Sequence, residues 1–223
     1  MIFDEIAPYY DHFIDEELNE LYIRTVQKHL KEEATIIDMG CGNGELSVKL
    51  AKLGYIVTAT DISYTMLEYA MNKAVNNDVQ IRFFVHNILD SLSQSYDGIL
   101  MTSDVINNIH TEAEVLRVFQ NVANSMNQSS IFMFDFIRVQ YVEKIHNYHQ
   151  DILLQDDLLQ WSVHKTNHPN QIQHRLTLGS KTQTLVQTTF PFRIYKLLLE
   201  QAGLKIIRKK RTDERYVVLA KLK

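Results

Sequence analysis

Strand-like apolar runs alternate with amphipathic helical stretches along the first 138 residues, and this alternation most limits the architectures open to the chain. The segments ATIIDMG (34–40), YIVTATD (55–61), QIRFFVHN (80–87), DGILMTSD (97–104) and SIFMFDF (130–136) are short and rich in β-branched or aromatic residues, as strands are. Between them, Leu46, Leu50 and Leu53 mark one helical face, Tyr64 to Asn77 a second helix, and Val115, Val118, Phe119 and Val122 a third behind a capping box of Thr111 and Glu114. A further helix carrying Leu18, Leu21, Tyr22, Val26 and Leu30 precedes the first strand, and Gly54 sits where a left-handed C-cap is wanted. Strands joined through helices must run parallel, so the pattern predicts an α/β fold with a sheet covered on both faces.

From about Val139 to Phe190 the alternation gives way to short polar-apolar repeats with a turn at NHPNQ, which predicts antiparallel strands inserted into the main fold as a lid or cap. Pro191 then opens a helix through FRIYKLLLEQA, stopped by Gly203, and LKIIRKK and RYVVLAKL form a hairpin about RTDER. At 223 residues and 45% hydrophobic, the chain suits one domain with a small insertion. A formal charge of −4 creates no global attraction to nucleic acid or to an anionic membrane. Acids in MIFDEIAPYY and the lack of a bilayer-length apolar run predict a soluble, cytoplasmic protein. The single cysteine, Cys41, excludes an intrachain disulfide and a multi-thiolate zinc site.

The connection after the first strand, IIDMGCGNGEL (36–46), places Gly40, Gly42 and Gly44 at a strand-to-helix turn, where glycine lets backbone N–H groups and the positive helix end approach a ligand. A dinucleotide turn, G-x-G-x-x-G, is disfavoured because Glu45 stands at the third glycine and would repel a diphosphate. Tyr69 and Lys73 have the Tyr-x-x-x-Lys spacing of a dehydrogenase pair but lie too early in the chain for that role, and no Gly-Lys-Ser/Thr follows to make a P-loop. Asp61 and Asn87 close the next two strands, where open α/β sheets bind ligands, so the turn is expected to hold a cofactor.

Asp38-Met39-Gly40-Cys41-Gly42-Asn43-Gly44 resembles the D-x-G-C-G-x-G signature of the class I S-adenosylmethionine-dependent methyltransferases. The resemblance runs over nearly the whole chain, including YYD before the first helix, and is weakest between Val139 and Phe190. It implies a Rossmann-like seven-stranded, mostly parallel sheet with an antiparallel last strand, built from residues 1–138 and 191–223. Residues 139–190 would form a small antiparallel β cap that binds substrate. The implied cofactor, S-adenosylmethionine, has no phosphate, so Glu45 does no harm. By resemblance, Gly40, Cys41, Gly42 and Gly44 form the turn beside the methionine portion, and Asp61 accepts from both ribose hydroxyls. Ile62 and Ile88 sandwich the adenine, and Asn87 replaces the usual aspartate as acceptor of its amino group. Tyr10, Asp38, Met66 and the Ser103 backbone complete the pocket. The Cys41 side chain is expected to serve as packing, since free cysteine is commonly buried and inert.

The loop TSDVINNIH (102–110) resembles the D-S-L-N-Y-L segment of small-molecule N-methyltransferases, with Asp104 and Asn107 at its D and N. Asp104, Asn107 and His110 are therefore the candidates for orienting the substrate or acting as base; for His110 a plain loop contact to backbone is the alternative. The Asp-Pro-Pro-Tyr and Pro-Cys segments of nucleic-acid methyltransferases are absent, which favours an amine or hydroxyl of a small-molecule acceptor. His164 and His168 share an H-x-x-x-H spacing, but Lys165 replaces the glutamate of a zinc helix and Pro169 follows, so no metal is expected. Tyr141, Tyr148, Trp161 and Phe192 suit either a substrate wall or cap packing, and RKKRTDER reads as a solvated strand edge. A nicotinamide-dependent oxidoreductase and an RNA-associated cofactor-binding module are the competing functions.

Overall fold

Helix α1 (Glu16–His29) begins at Asp15, whose carboxylate accepts from the Leu18 N–H at 2.9 Å, and buries Leu18, Tyr22 and Val26, the stripe that its spacing predicts. The computed structural model describes residues 7–154 and 157–223; the acids of the N-terminal stretch, Asp4 and Glu5, lie outside the described residues. After α1 come β1 (Thr35–Met39), α2 (Glu45–Lys52), β2 (Ile56–Asp61), α3 (Tyr64–Asn76), β3 (Arg82–Val85), β4 (Tyr96–Met101), α4 (Glu112–Asn124) and β5 (Met126–Ile137). Two of these helices show the stop or start that the sequence predicts. Gly54 follows α2 at φ +86°, and Thr111 Oγ1 accepts from the Glu114 N–H at 3.2 Å ahead of α4.

The seven strands of the main sheet lie in the order β10-β11-β5-β4-β1-β2-β3, with β10 (Leu204–Arg211) and β11 (Arg215–Leu222) forming the C-terminal hairpin. Six run parallel and β11 alone is antiparallel to its neighbours, the Rossmann-like arrangement expected from the sequence. Alternation along β5 explains the two covered faces. Phe132, Phe134 and Phe136 pack with Phe119 of α4 and Tyr195 of α6 (Phe192–Gln201), whereas Ile131 and Met133 pack with Tyr22 and Val26 of α1 and with Leu46 and Leu50 of α2.

Two strand boundaries differ from the sequence reading. QIRFFVHN gives a strand only over Arg82–Val85, because β3 is an edge strand whose single partner, β2, ends where Asp61 pairs with Val85. The SIFMFDF strand starts earlier, at Met126, which pairs with Tyr96 of β4 across a bulge before the regular ladder resumes at Ile131 and Gly98.

Between β5 and α6 stand a short helix, α5 (Val139–Ile145), and a separate four-stranded antiparallel sheet of β6 (Tyr148–Leu153), β7 (Leu158–Lys165), β8 (Gln171–Leu178) and β9 (Lys181–Thr188). The alternating pattern that predicts strands begins only after α5; Val142 and Ile145 pack that helix on Val163 and Ile172 of the sheet. NHPNQ makes the β7–β8 turn, with Asn170 left-handed at φ +61°. This second sheet meets the main body through a cluster of Ala7, Met66, Leu159 and Leu176 that includes the rings of Tyr10, Phe13 and Trp161.

Candidate active site

Gly40, Gly42 and Gly44 all have positive φ, at +74°, +53° and +79°. A Cβ on Gly40 would lie 2.5 Å from Val105 Cγ2 and one on Gly44 2.8 Å from Ala70 Cβ, so this turn requires glycine for space as well as for backbone. It is fastened to β2: the Gly40 and Cys41 N–H groups donate to the Thr60 carbonyl at 2.7 and 2.9 Å, and the Gly42 N–H donates to Asp61 Oδ2 at 2.9 Å. The other Asp61 oxygen accepts from the Ser63 N–H at 2.9 Å. The acid that closes β2 thereby sets the position of the turn after β1 and the start of α3.

A cavity of about 570 Å³ opens above these groups, at the carboxyl ends of the strands where the chain order reverses between β1 and β4. Tyr10, Gly40, Gly42, Asp61, Ile62, Met66, Asn87, Ile88, Ser103, Asp104 and His110, all candidates from the sequence, line it. Asp38, Cys41, Gly44 and Asn107 do not. Gly44 caps α2. Cys41 packs with Ala59 and Leu67, and burial pushes its thiol well above the ordinary range. Asp38 lies fully buried beneath the turn, where Ser47 Oγ donates to Oδ2 at 2.6 Å and Oδ1 has no partner. Burial, opposed by that hydrogen bond and assisted by Asp61, raises its pKa to about 6.

Asn107, expected to orient substrate, is instead a fully buried rivet: its Nδ2 donates to the Thr188 carbonyl at 2.8 Å and its Oδ1 accepts from the Ile137 N–H at 3.0 Å. It ties the end of β5 to the end of β9, because a buried amide must spend its hydrogen bonds on what surrounds it. Asn87 lines the cavity as expected of its strand-end position. Its side-chain oxygen accepts from the Leu89 N–H at 3.0 Å, which fixes the amide and leaves one lone pair of that oxygen. His110 contacts a side chain rather than backbone, with Nδ1 2.9 Å from Thr188 Oγ1.

Sequence reasoning missed the group that shapes the β4 loop. Ser103 and Asp104 are both left-handed, at φ +60° and +63°, a conformation costing about 1–3 kcal/mol per residue. Asp135 of β5, fully buried, holds them there. One of its oxygens accepts from the Ser103 N–H at 2.9 Å and the Tyr22 hydroxyl at 2.8 Å, and the other from the Asp104 N–H at 3.1 Å and Arg215 Nη1 at 2.8 Å. The same Arg215 nitrogen donates to Asp104 Oδ1 at 3.2 Å. Burial, resisted by Arg215 and helped by Asp135, raises the Asp104 pKa to about 7. An aspartate in the midst of SIFMFDF was the available signal, since an unpaired acid in a buried strand is too costly to persist.

An N-terminal 3-10 strap, Ala7–Phe13, covers one side, with the Tyr10 ring 3.1 Å from where a Gly42 Cβ would be. Asn43 Nδ2 and Lys73 Nζ both donate to Asp11, at 2.6 and 2.8 Å, and Lys73 also reaches Glu45 at 2.8 Å. Glu45 and Lys73 thus latch the strap to α2 and α3. Opposite, Trp161, His174, Leu176, Leu185 and Gln187 of the four-stranded sheet form a roof.

The charge lining the cavity is acidic: Asp15, Asp61 and Asp104 against one guanidinium, Arg215, already bonded to Asp104 and Asp135. A diphosphate would meet no uncommitted lysine or arginine among the lining residues, whereas a cofactor with a net positive charge is favoured. The glycine cradle and the lining acids fit a sulfonium nucleoside, which Gly40, Gly42, Asp61, Ile62 and Ile88 would hold. Among the described residues, no helix is long and apolar enough to cross a membrane.

Fold and site together define a Rossmann-like enzyme that binds a nucleoside cofactor without phosphates. Comparison with known proteins narrows the class. Residues 36–129 match the family model described as a methyltransferase domain. A protein of Geobacillus sp. (strain WCH70), provisionally named a methyltransferase, is 30% identical over 93% of this chain and 90% of its own. Among solved structures, an S-adenosylmethionine-dependent methyltransferase from Clostridium acetobutylicum superposes with a TM-score of 0.84 at 18% identity, covering 98% of each chain. S-adenosylmethionine-bound CalS10, an amino pentose methyltransferase from Micromonospora echinaspora, gives 0.76 at 14% identity over 97% of this chain and 95% of its own. The chain belongs to the class I S-adenosylmethionine-dependent methyltransferases, and S-adenosylmethionine is its cofactor.

Proposed function

We propose that the protein transfers the methyl group of S-adenosylmethionine to an amine, or failing that a hydroxyl, of a small molecule. The observation that carries this reading is the acid-lined cavity of about 570 Å³, a volume typical of small-molecule sites, walled on one side by residues of the four-stranded sheet. Among the described residues its walls hold no uncommitted lysine or arginine, which disfavours an anionic acceptor and suits a basic one. CalS10, a fold neighbour, acts on an amino pentose, which agrees with this substrate class. On this reading residues 1–138 and 191–223 form the cofactor core, and residues 139–190 are the acceptor-binding cap.

The cofactor supplies a methyl group on an already activated sulfonium. The chain's own residues need to align the acceptor, exclude water and manage one proton. Only a neutral amine attacks, so Asp104, with a pKa near 7, is placed to hold the incoming ammonium and take its proton. His110, anchored through Thr188, orients the acceptor from the other side of the loop. The roof and the Tyr10 strap exclude water.

The test is incubation of the protein with methyl-labelled S-adenosylmethionine and a metabolite extract, with mass analysis of products. Label in a small amine supports the reading. Label confined to RNA or protein, with none in small molecules, overturns it.

A further inference from the structure

On the inner face of the roof, Val163 pairs with His174, His174 with Leu185, and Ile172 with Gln187, so Trp161, His174 and Gln187 stand diagonally across three adjacent strands on one face. They form a linear hydrogen-bond relay. Trp161 Nε1–H donates to His174 Nδ1 at 3.1 Å, and His174 Nε2 lies 3.0 Å from Gln187 Oε1.

The chemistry of the donors fixes the direction of this relay. An indole N–H can only donate, so His174 Nδ1 is the bare, accepting nitrogen. The ring proton of the neutral imidazole is then on Nε2, and an N–H there must be met by the oxygen of the Gln187 amide, not by its nitrogen. Protonating His174 would set an N–H against the indole N–H; burial lowers its pKa and keeps the ring neutral. With its oxygen consumed, Gln187 has only its NH2 left to offer. That nitrogen donates to no group among the described residues, and the residue lines the cavity. A donor that faces the cavity without a protein acceptor is open to water, and to a ligand oxygen that displaces that water.

The position of this donor separates it from the cofactor. The groups that cradle the nucleoside come from the floor, at the ends of β1 to β4. Gln187 comes from the opposite wall, and the residue after it, Thr188, anchors His110. Since Asp15, Asp61 and Asp104 line the same cavity, an anionic oxygen is disfavoured there.

We propose that Gln187 is an acceptor-specificity residue: its NH2, aimed by Trp161 and His174, donates to a neutral hydroxyl, ether or carbonyl oxygen of the methyl acceptor. The acceptor is therefore an oxygen-bearing amine, not a plain alkylamine. Trp161 and His174 are positioning residues that act through the amide. This assignment rests on the methyl-transfer reading above.

The test uses the full chain, labelled S-adenosylmethionine and an equimolar mixture of cyclohexylamine with the 2-, 3- and 4-aminocyclohexanols, with products resolved by mass. Wild type should label the aminocyclohexanols at least about tenfold faster than cyclohexylamine, the scale set by a buried hydrogen bond to substrate. Gln187→Leu should bring that ratio to within about twofold, and so should Gln187→Glu, which keeps an oxygen for His174 but loses the donor. Trp161→Phe, which keeps the ring and removes the N–H, should lower the ratio several-fold. Nitrogen-15 spectra should show His174 bare at Nδ1 and protonated at Nε2. Calorimetry with S-adenosylmethionine on each variant reports that the cofactor floor is intact.

A wild-type ratio near one, a ratio unchanged in both Gln187 variants, or a His174 proton on Nδ1 overturns the assignment. So does labelling of neither amine by a protein that still labels a metabolite extract, an outcome that leaves the methyltransferase reading standing. Failure to label any small molecule overturns that reading and the assignment with it.

Discussion

The floor and the roof of the cavity are built on different physical principles. The floor is made of backbone: glycines at positive φ, and carboxylates of Asp61 and Asp135 that bind main-chain N–H groups and so dictate the path of two loops. The roof is made of side chains standing on a regular antiparallel sheet, where Trp161, His174 and Gln187 bond one another rather than the main chain. A backbone-built site tolerates few substitutions at a few positions, because the geometry itself is at stake. A side-chain-built wall can be rewritten residue by residue while the sheet beneath persists. The proposed division of labour, cofactor binding by the floor and acceptor choice by the roof, rests on this difference.

The largest expected effect falls on the floor's buried acid. Asp135→Ala removes the partner of Tyr22, Arg215 and two loop amides, and should destabilise the protein by about 3–5 kcal/mol in denaturant unfolding. A loss under about 1 kcal/mol would break the claim that Asp135 holds the loop. Next comes Asp38. Its ordinary pKa of 3.8 rises to about 6 in the fold, so the folded state binds the extra proton between those values. The stability this contributes is complete below pH ~4 and is lost as pH rises through ~6. The unfolding free energy of wild type relative to Asp38→Asn should therefore fall by up to about 3 kcal/mol between pH 4 and 7, and a pH-independent difference would contradict it.

Gly40→Ala sharpens the comparison at the turn. Its Cβ would meet Val105 at a positive φ, and affinity for S-adenosylmethionine by calorimetry should fall about a hundredfold. Binding within a few-fold of wild type would mean that the floor yields. The smallest effect divides the two regions. His110→Ala should lower turnover at least about tenfold with cofactor affinity unchanged, as expected of a group that orients the acceptor. Unaltered turnover with the true acceptor would remove His110 from that role.

Much of the floor was legible before any coordinates, because its causes are local. Three glycines in a strand-to-helix turn state their own backbone, and Asp61 at the end of a β-branched run sits at a predictable strand end. Asn107 shows where such reading stops: it occurs at the expected chain position, yet its hydrogen bonds go to Thr188 and Ile137. Arg215 lies 80 residues from Asp135, and their contact exists only because β11 returns beside β5. Helix α5 was missed because seven residues of apolar spacing are too few to separate a helix from strand alternation.

The sequence by itself determined the periodicities, the turns and the acids at strand ends, hence a parallel sheet with a cofactor turn, since each depends on neighbours a few residues away. The tertiary structure decided which faces meet: the burial that raises Asp38 and Asp104, the Asp135 hub, and the register that sets Trp161, His174 and Gln187 in line. Those properties depend on distance and on exclusion of water between residues far apart in the chain, which pattern along the sequence does not carry.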